Sequence, residues 1–105
     1  MIDLSYKFFF KAFGNSTRFE IIQALRKGPK NVSRLGEETG FEQSRISHNL
    51  RCLLECGFVE NNRRGKQVIY SLNKGTIAPL LGLIDKHIGK YSRHLVKCGV
   101  IRRGE

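Results

Sequence analysis

Two cysteines, Cys52 and Cys56, stand four residues apart within a segment of helical periodicity. Residues at this spacing lie on one face of a helix with their Cβ atoms about 5–6 Å apart, which suits two thiolates bound to a single metal ion. A helical wheel places both cysteines away from the apolar stripe that would face the core. That stripe consists of Ile46, Leu50, Leu53 and Leu54. Since cysteines are usually buried, this thiol pair is a candidate metal site. The alternative is two structural cysteines packed under a neighbouring element.

The charge of the chain points to a polyanionic partner. Its 105 residues contain 19 Lys and Arg against 9 Asp and Glu, a net charge of +10, which is typical of proteins that bind nucleic acid or anionic membranes. No apolar run approaches the roughly 20 residues that span a bilayer, and the first residues do not resemble a signal peptide. We therefore expect a cytoplasmic protein with reduced cysteines. We do not expect the protein to be an enzyme, because the sequence lacks a glycine-rich phosphate loop, a nucleophile elbow and paired carboxylates.

The hydrophobic pattern predicts five helices and one hairpin. Asn15, Ser16 and Thr17 are candidate caps for the second helix, and Thr17 with Glu20 fits a capping box. This helix would end before Gly28. The other predicted helices are Ile2–Phe13, Val32–Thr39, Glu42–Cys56 and Thr76–Cys98. The predicted strands are Phe58–Asn62 and Gln67–Leu72, joined by a turn over residues 63–66. This order, α-α-α-α-β-β-α, is mainly α with a small β-hairpin wing, and it predicts a single winged helix-turn-helix domain over residues 1–105.

Such a fold would place the fourth helix in the major groove of DNA and the hairpin tip against phosphate or the minor groove. Ser44, Ser47, His48 and Arg51 lie roughly opposite the apolar stripe, and such side chains can donate to phosphates and base edges. The alternative for this face is a solvated polar surface. The predicted DNA-binding residues are Gln43, Ser44, Arg45, Ser47, His48 and Arg51 on the helix, and Arg63, Arg64 and Lys66 on the hairpin.

The last predicted helix carries more apolar surface than so small a core can cover. Its stripe consists of Ile77, Leu80, Leu81, Ile84, Ile88, Tyr91 and Leu95. Together with the aromatic first helix, this surplus predicts a homodimer formed by the N- and C-terminal helices. The expected partners are a second copy of the chain and double-stranded DNA carrying a palindromic operator, with no membrane partner.

Several segments resemble the ArsR/SmtB family of repressors. Residues 41–50, Phe-Glu-Gln-Ser-Arg-Ile-Ser-His-Asn-Leu, are similar to that family's recognition helix. Residues 65–72 resemble its wing, and residues 12–18 resemble the entry to its second helix. The resemblance implies a homodimeric repressor that an effector, often a metal ion, releases from its promoter.

Residues 48–59 resemble, more narrowly, the end of the recognition helix in the cadmium- and lead-sensing branch of the family, the CmtR type. That resemblance implies metal ligation by Cys52 and Cys56 with a third cysteine from the C-terminal region, and Cys98 is the remaining cysteine here. Three thiolates favour soft ions such as Cd²⁺ and Pb²⁺, with Zn²⁺ or As(III) as further candidates. The ion would act as an effector and would not be required for folding.

A second candidate metal site lies on the last helix. Asp85 and His87, followed by Cys98, resemble the last-helix site of zinc- and cobalt-sensing members, and His94 stands one turn before Cys98. Ile101 occupies the position of that site's fourth ligand and cannot bind a metal. Two competing functions need no metal: a metal-blind DNA-binding regulator whose cysteines are structural, and an RNA-binding or scaffold protein.

Overall fold

The computed structural model describes the backbone of residues 4–97 and the side chains of residues 4–92. Its elements are α1 Leu4–Phe13, α2 Ser16–Arg26, α3 Val32–Thr39, α4 Gln43–Glu55, β1 Val59–Arg64, β2 Gln67–Leu72 and α5 Ile77–Lys97. This order confirms the predicted fold class, and α3 and β2 have the predicted bounds. Among the described residues, no helix combines the length and the hydrophobicity that a membrane span requires.

Two local predictions are wrong. Of the three candidate caps of α2, Asn15 is the N-cap, and its side chain accepts a hydrogen bond from the backbone N–H of Arg18 at 3.0 Å. Thr17 does not form the predicted capping box, because it lies inside the helix and is buried. The predicted four-residue turn of the hairpin is also wrong, since β1 continues to Arg64 and only two residues separate the strands. Gly65, with a φ of 61°, takes the first turn position, which suits a tight hairpin that favours glycine there.

The first 73 residues form one compact unit around an apolar core. α2 lies at its centre and contacts α1, α3, α4 and β2. Most core side chains of this unit come from α2, α3 and α4 and from the base of the hairpin. They are Ile21, Ile22, Leu25, Leu35, Ile46, Leu50, Leu53, Phe58, Val59 and Leu72. Each fully buried side chain of this size contributes about 1.5–3 kcal/mol through burial. This packing fixes the orientation of α4, whose predicted stripe is buried except for the half-buried Leu54.

The helix-turn-helix and the hairpin are joined by specific contacts. Gly40 ends α3 in the left-handed conformation, with a φ of 80°, which allows the sharp turn into α4. Lys30 and Tyr70 exchange two backbone hydrogen bonds of 3.0 and 2.8 Å, which add a short bridge to β2. The Asn31 side chain donates to Gln67 at 3.2 Å. The hairpin is therefore tied to the start of α3.

The second unit begins at residue 74 and contains α5. Its apolar stripe is buried at the start of the helix, at Ile77 and Leu81. Further along, the large apolar side chains are exposed, namely Leu83, Ile88 and Tyr91. The second half of the described part of α5 therefore presents apolar surface to its surroundings.

Candidate DNA interface and thiol pair

One face of α4 presents polar and basic side chains to solvent. All six predicted DNA-binding residues of this helix are exposed: Gln43, Ser44, Arg45, Ser47, His48 and Arg51. The intervening Ile46 and Leu50 are at most 1% exposed, so the helix cannot rotate about its axis without exposing its apolar stripe. A helix with one face fixed in the core and the other lined by hydrogen-bond donors can enter a major groove.

The hairpin presents its basic residues on two different faces. Arg63 pairs with Val68 and Arg64 pairs with Gln67 across the strands. Since neighbouring residues of a strand point to opposite faces, these two arginines flank the hairpin tip on either side. Lys66 lies in the turn itself, and all three side chains are exposed. The tip therefore offers three cations to a polyanion.

Arg45 differs from the other predicted DNA-binding residues of α4 because it is engaged within the protein. Its guanidinium donates to the hydroxyl of Thr17 at 2.6 Å and lies over the ring of Phe41, 4.1 Å from the centroid. The side chain therefore links the start of α4 to the start of α2.

A buried amide that no sequence pattern had singled out lies one turn further along α4. Asn49 is 8% exposed, and its oxygen accepts a hydrogen bond from the guanidinium of Arg18 at 3.3 Å. Its amide nitrogen donates to the carbonyl of Arg45 at 2.8 Å. Arg18 also donates to the carbonyl of Ala12, at the end of α1, at 3.2 Å. A buried amide with both polar atoms paired holds the middle of α4 against the ends of α1 and α2.

The thiol pair lies near the C-terminal end of the same helix. Cys52 is half-buried, Cys56 is exposed, and both are free thiols. Partial burial, followed by the proximity of Cys52, raises the pKa of the Cys56 thiol, while the positive charge of Arg18 acts in the opposite direction. Cys52 also contributes to the higher pKa through a hydrogen bond between the two side chains. Metal binding at neutral pH must therefore release the proton of Cys56.

The donor set of the described residues fits a thiophilic ion in part. Two adjacent thiols match a soft ion in chemistry and spacing, but no group of three or more His, Cys, Asp or Glu that could hold a metal occurs among the described residues. Cys98 and the side chain of His94 lie outside the described part of the chain. In the second unit, the ring of His87 packs on Tyr91 with centroids 4.7 Å apart. Asp85 and His87 are only two residues apart on α5 and point in different directions.

Comparison with known proteins is consistent with this geometry. Residues 15–61 match the family model described as "Bacterial regulatory protein, arsR family". The regulator NmtR of Mycobacterium tuberculosis is 37% identical over 80% of this chain and 74% of its own length. The regulator CmtR of the same organism is 35% identical over 69% of this chain and 61% of its own length. The "probable mercury resistance operon repressor" of Streptomyces lividans is 35% identical over 71% of this chain, which spans 60% of that relative's length.

A solved structure shows the same architecture. The homodimeric winged helix-turn-helix DNA-binding domain from Mycobacterium bovis, solved by NMR, superposes with a TM-score of 0.73 at 28% identity. The match covers 80% of this chain and 78% of that domain. Together with the sequence relatives, this similarity confirms the resemblance to the ArsR/SmtB repressors.

Proposed function

Because this chain belongs to the ArsR family of bacterial regulatory proteins, we propose that it acts as a homodimeric transcriptional repressor that a thiophilic metal ion releases from its operator. The observation that carries this proposal is the thiol pair on α4, the helix whose exposed face reads DNA. A ligand held there acts on the DNA-reading element itself.

In this proposal α4 enters the major groove and the hairpin contacts the flanking backbone. The exposed side chains at the start of α4, Gln43, Ser44 and Ser47, approach base edges, while His48 and Arg51 contact bases or phosphate. Arg45 keeps its hydrogen bond to Thr17 and reaches DNA with its remaining donors. Arg63, Arg64 and Lys66 neutralise phosphates on either side of the hairpin tip.

The salt dependence of DNA binding tests the role of the hairpin. Replacing Arg63, Arg64 and Lys66 together by Gln should flatten the slope of log affinity against log salt concentration by about three units at most, because fewer counterions are released. The measurement is fluorescence anisotropy of a labelled operator duplex at several salt concentrations. A matched control replaces Lys11, Arg26 and Lys27, three basic residues on or next to α1 and α2, by Gln. An equal change of slope in this control would contradict the assignment to the hairpin.

A second copy of the chain is the proposed partner for the exposed apolar surface. In the first unit, α1 exposes Leu4, Tyr6, Phe8 and Phe10 by more than half, although its Ala12 is buried. In the second unit, Ile88 and Tyr91 of α5 are exposed. Large exposed apolar side chains on terminal helices favour burial in a symmetric interface. A homodimer presents two copies of α4 to a palindromic operator.

For the metal, Cys52 and Cys56 supply two thiolates, and we propose Cys98 as the third donor. Coordination by three thiolates would favour Cd²⁺ or Pb²⁺ over harder ions. The buried stripe of α4 fixes the helix, and the thiols, which lie outside that stripe, would hold the ion. The last-helix alternative would use Asp85, His87 and His94.

Titration with Cd²⁺ tests the metal response. We expect ultraviolet absorption from thiolate-to-metal charge transfer to saturate at a fixed ratio of metal to chain, and the affinity for operator DNA to fall over the same range of Cd²⁺. A second candidate function, a metal-blind repressor, is favoured by the presence of only two adjacent thiol donors among the described residues. If adding Cd²⁺ produces no charge-transfer absorption and does not change the affinity for operator DNA, the chain is the metal-blind repressor.

A further inference from the structure

One stripe of α4 contains both the thiol pair and the residues that anchor the helix to its neighbours. At about 100° per residue, the side chains of Arg45, Asn49, Cys52 and Cys56 lie within about 60° of one another around the helix axis. The first two are hydrogen-bonded to Thr17 and Arg18 of α2. The thiols continue the same stripe toward the C-terminal end of the helix. A ligand bound to the thiols therefore acts on the side of α4 that is hydrogen-bonded to α2.

Arg18 is the residue that joins α1, α2 and α4 in this set of hydrogen bonds. Its guanidinium donates at once to the carbonyl of Ala12 at the end of α1 and to the buried amide oxygen of Asn49 in α4. The flat guanidinium group can make both bonds because its donors point in fixed, separate directions. Asn49 in turn donates to the carbonyl of Arg45, so the chain of hydrogen bonds runs from α1 to the start of the DNA-reading helix.

We propose that Arg18 is a positioning residue that couples occupancy of the thiol pair to the orientation of α4. Its bond to Asn49 holds α4 in the DNA-binding orientation against the ends of α1 and α2. Binding at the thiols shifts α4 relative to this bond, and the loss of the bond lowers DNA affinity. This inference rests on the proposed metal response. It adds the residue that transmits the response. A ligand changes an equilibrium between two protein states only if it interacts differently with each of them, and the bond from Arg18 to Asn49 would be present in one orientation of α4 and lost in the other.

The spacing of residues along α4 places this contact beside the thiol pair. Asn49 and Cys52 are three residues apart on the helix, so their side chains are neighbours on one face. The bond between Arg18 and Asn49 therefore lies one turn from the first thiol.

The test compares Arg18→Met and Arg18→Lys with the wild-type chain. The readouts are metal-free operator affinity, Cd²⁺ binding measured by charge-transfer absorption without DNA, and the ratio of operator affinities without and with Cd²⁺. In both variants we expect Cd²⁺ binding to persist and metal-free operator affinity to fall. The ratio should drop from the roughly 5–150-fold typical of allosteric coupling to less than about 3-fold. Arg18→Lys keeps the charge but replaces the two separate nitrogens that donate to Ala12 and Asn49 by a single nitrogen on a flexible stem. A full ratio in this variant would overturn the proposal.

Two further measurements keep the test independent of folding. Asn49→Ala removes the acceptor, and a double-mutant cycle with Arg18→Met should be strongly non-additive in metal-free operator affinity. Arg26→Met removes the same type of side chain from the exposed end of α2 and should leave the ratio at its wild-type value. Additive effects, or an unchanged ratio in Arg18→Met that still binds Cd²⁺, would refute the role of Arg18 and leave the metal response intact. A wild-type ratio of one would refute both proposals.

Discussion

Replacing either cysteine of the thiol pair by serine is expected to abolish the metal response and to leave metal-free DNA binding unchanged. Serine is close to cysteine in size and shape but does not provide a soft thiolate ligand. Cys52 is half-buried and Cys56 is exposed, and neither belongs to the buried stripe of α4. Cys52→Ser and Cys56→Ser should therefore keep the fold and the exposed DNA-reading face, while the roughly 5–150-fold effect of Cd²⁺ on operator affinity disappears.

The coupling between Cd²⁺ binding and operator binding can be measured from either ligand, because coupling between two sites is reciprocal. In the wild-type chain, operator DNA should weaken Cd²⁺ binding by the same factor by which Cd²⁺ weakens DNA binding. Cys98→Ser tests the proposed third donor and should weaken the response. His87→Ala serves as the control and should change little, since its ring is packed on Tyr91 of the same helix. If His87→Ala removes the response and Cys52→Ser does not, the metal site lies on the last helix instead.

The other large effect concerns assembly. Ile88→Asp, alone or with Ile84→Asp, should convert a homodimer into monomers, because a carboxylate placed in an apolar interface loses its hydration without gaining a partner. Ile88 is 45% exposed in the isolated chain, so its replacement should leave the fold of each protomer intact. In the proposed dimer two copies of α4 contact one operator, so losing the second copy should lower operator affinity roughly 100-fold or more.

Light scattering gives the mass of each variant, and anisotropy with a palindromic and a half-site duplex gives its DNA affinity. A matched control places aspartate at Lys86, another exposed position of α5, and should leave the dimer intact. Thermal unfolding confirms that Ile88→Asp remains folded. A wild-type mass of one chain would contradict the dimer, and an unchanged mass for Ile88→Asp would place the interface elsewhere.

Features that depend only on residues close together in the chain could be predicted from the sequence. The helical spacing of Ile46, Leu50 and Leu53 identified the buried stripe of α4, and the four-residue spacing of Cys52 and Cys56 placed both thiols away from that stripe. Glycine at position 40 marked the sharp turn before α4. These predictions succeed because helix geometry and turn conformation are set within a few residues of chain.

Local errors arose where two local patterns competed. Thr17 and Glu20 fit a capping box, but Asn15 is an equally good cap two residues earlier. In the folded chain Asn15 is the cap, and Thr17 lies inside the helix, where its hydroxyl accepts a hydrogen bond from Arg45. Similarly, the local pattern of residues 63–66 predicts a turn, whereas the pairing of Arg63 with Val68 and of Arg64 with Gln67 extends β1 to the tip.

The sequence alone determined the order of the elements, the polar face of α4 and the adjacency of its two thiols, since each follows from local periodicity and composition. Only the tertiary structure decided that Arg45 bonds to Thr17 and that Arg18 bonds to Asn49, contacts that span 28 and 31 residues of chain. No local pattern specifies which of many polar side chains will meet after folding. Packing of α2 against α4 brings these groups together, and the cost of burying the Asn49 amide requires that its partners be in place.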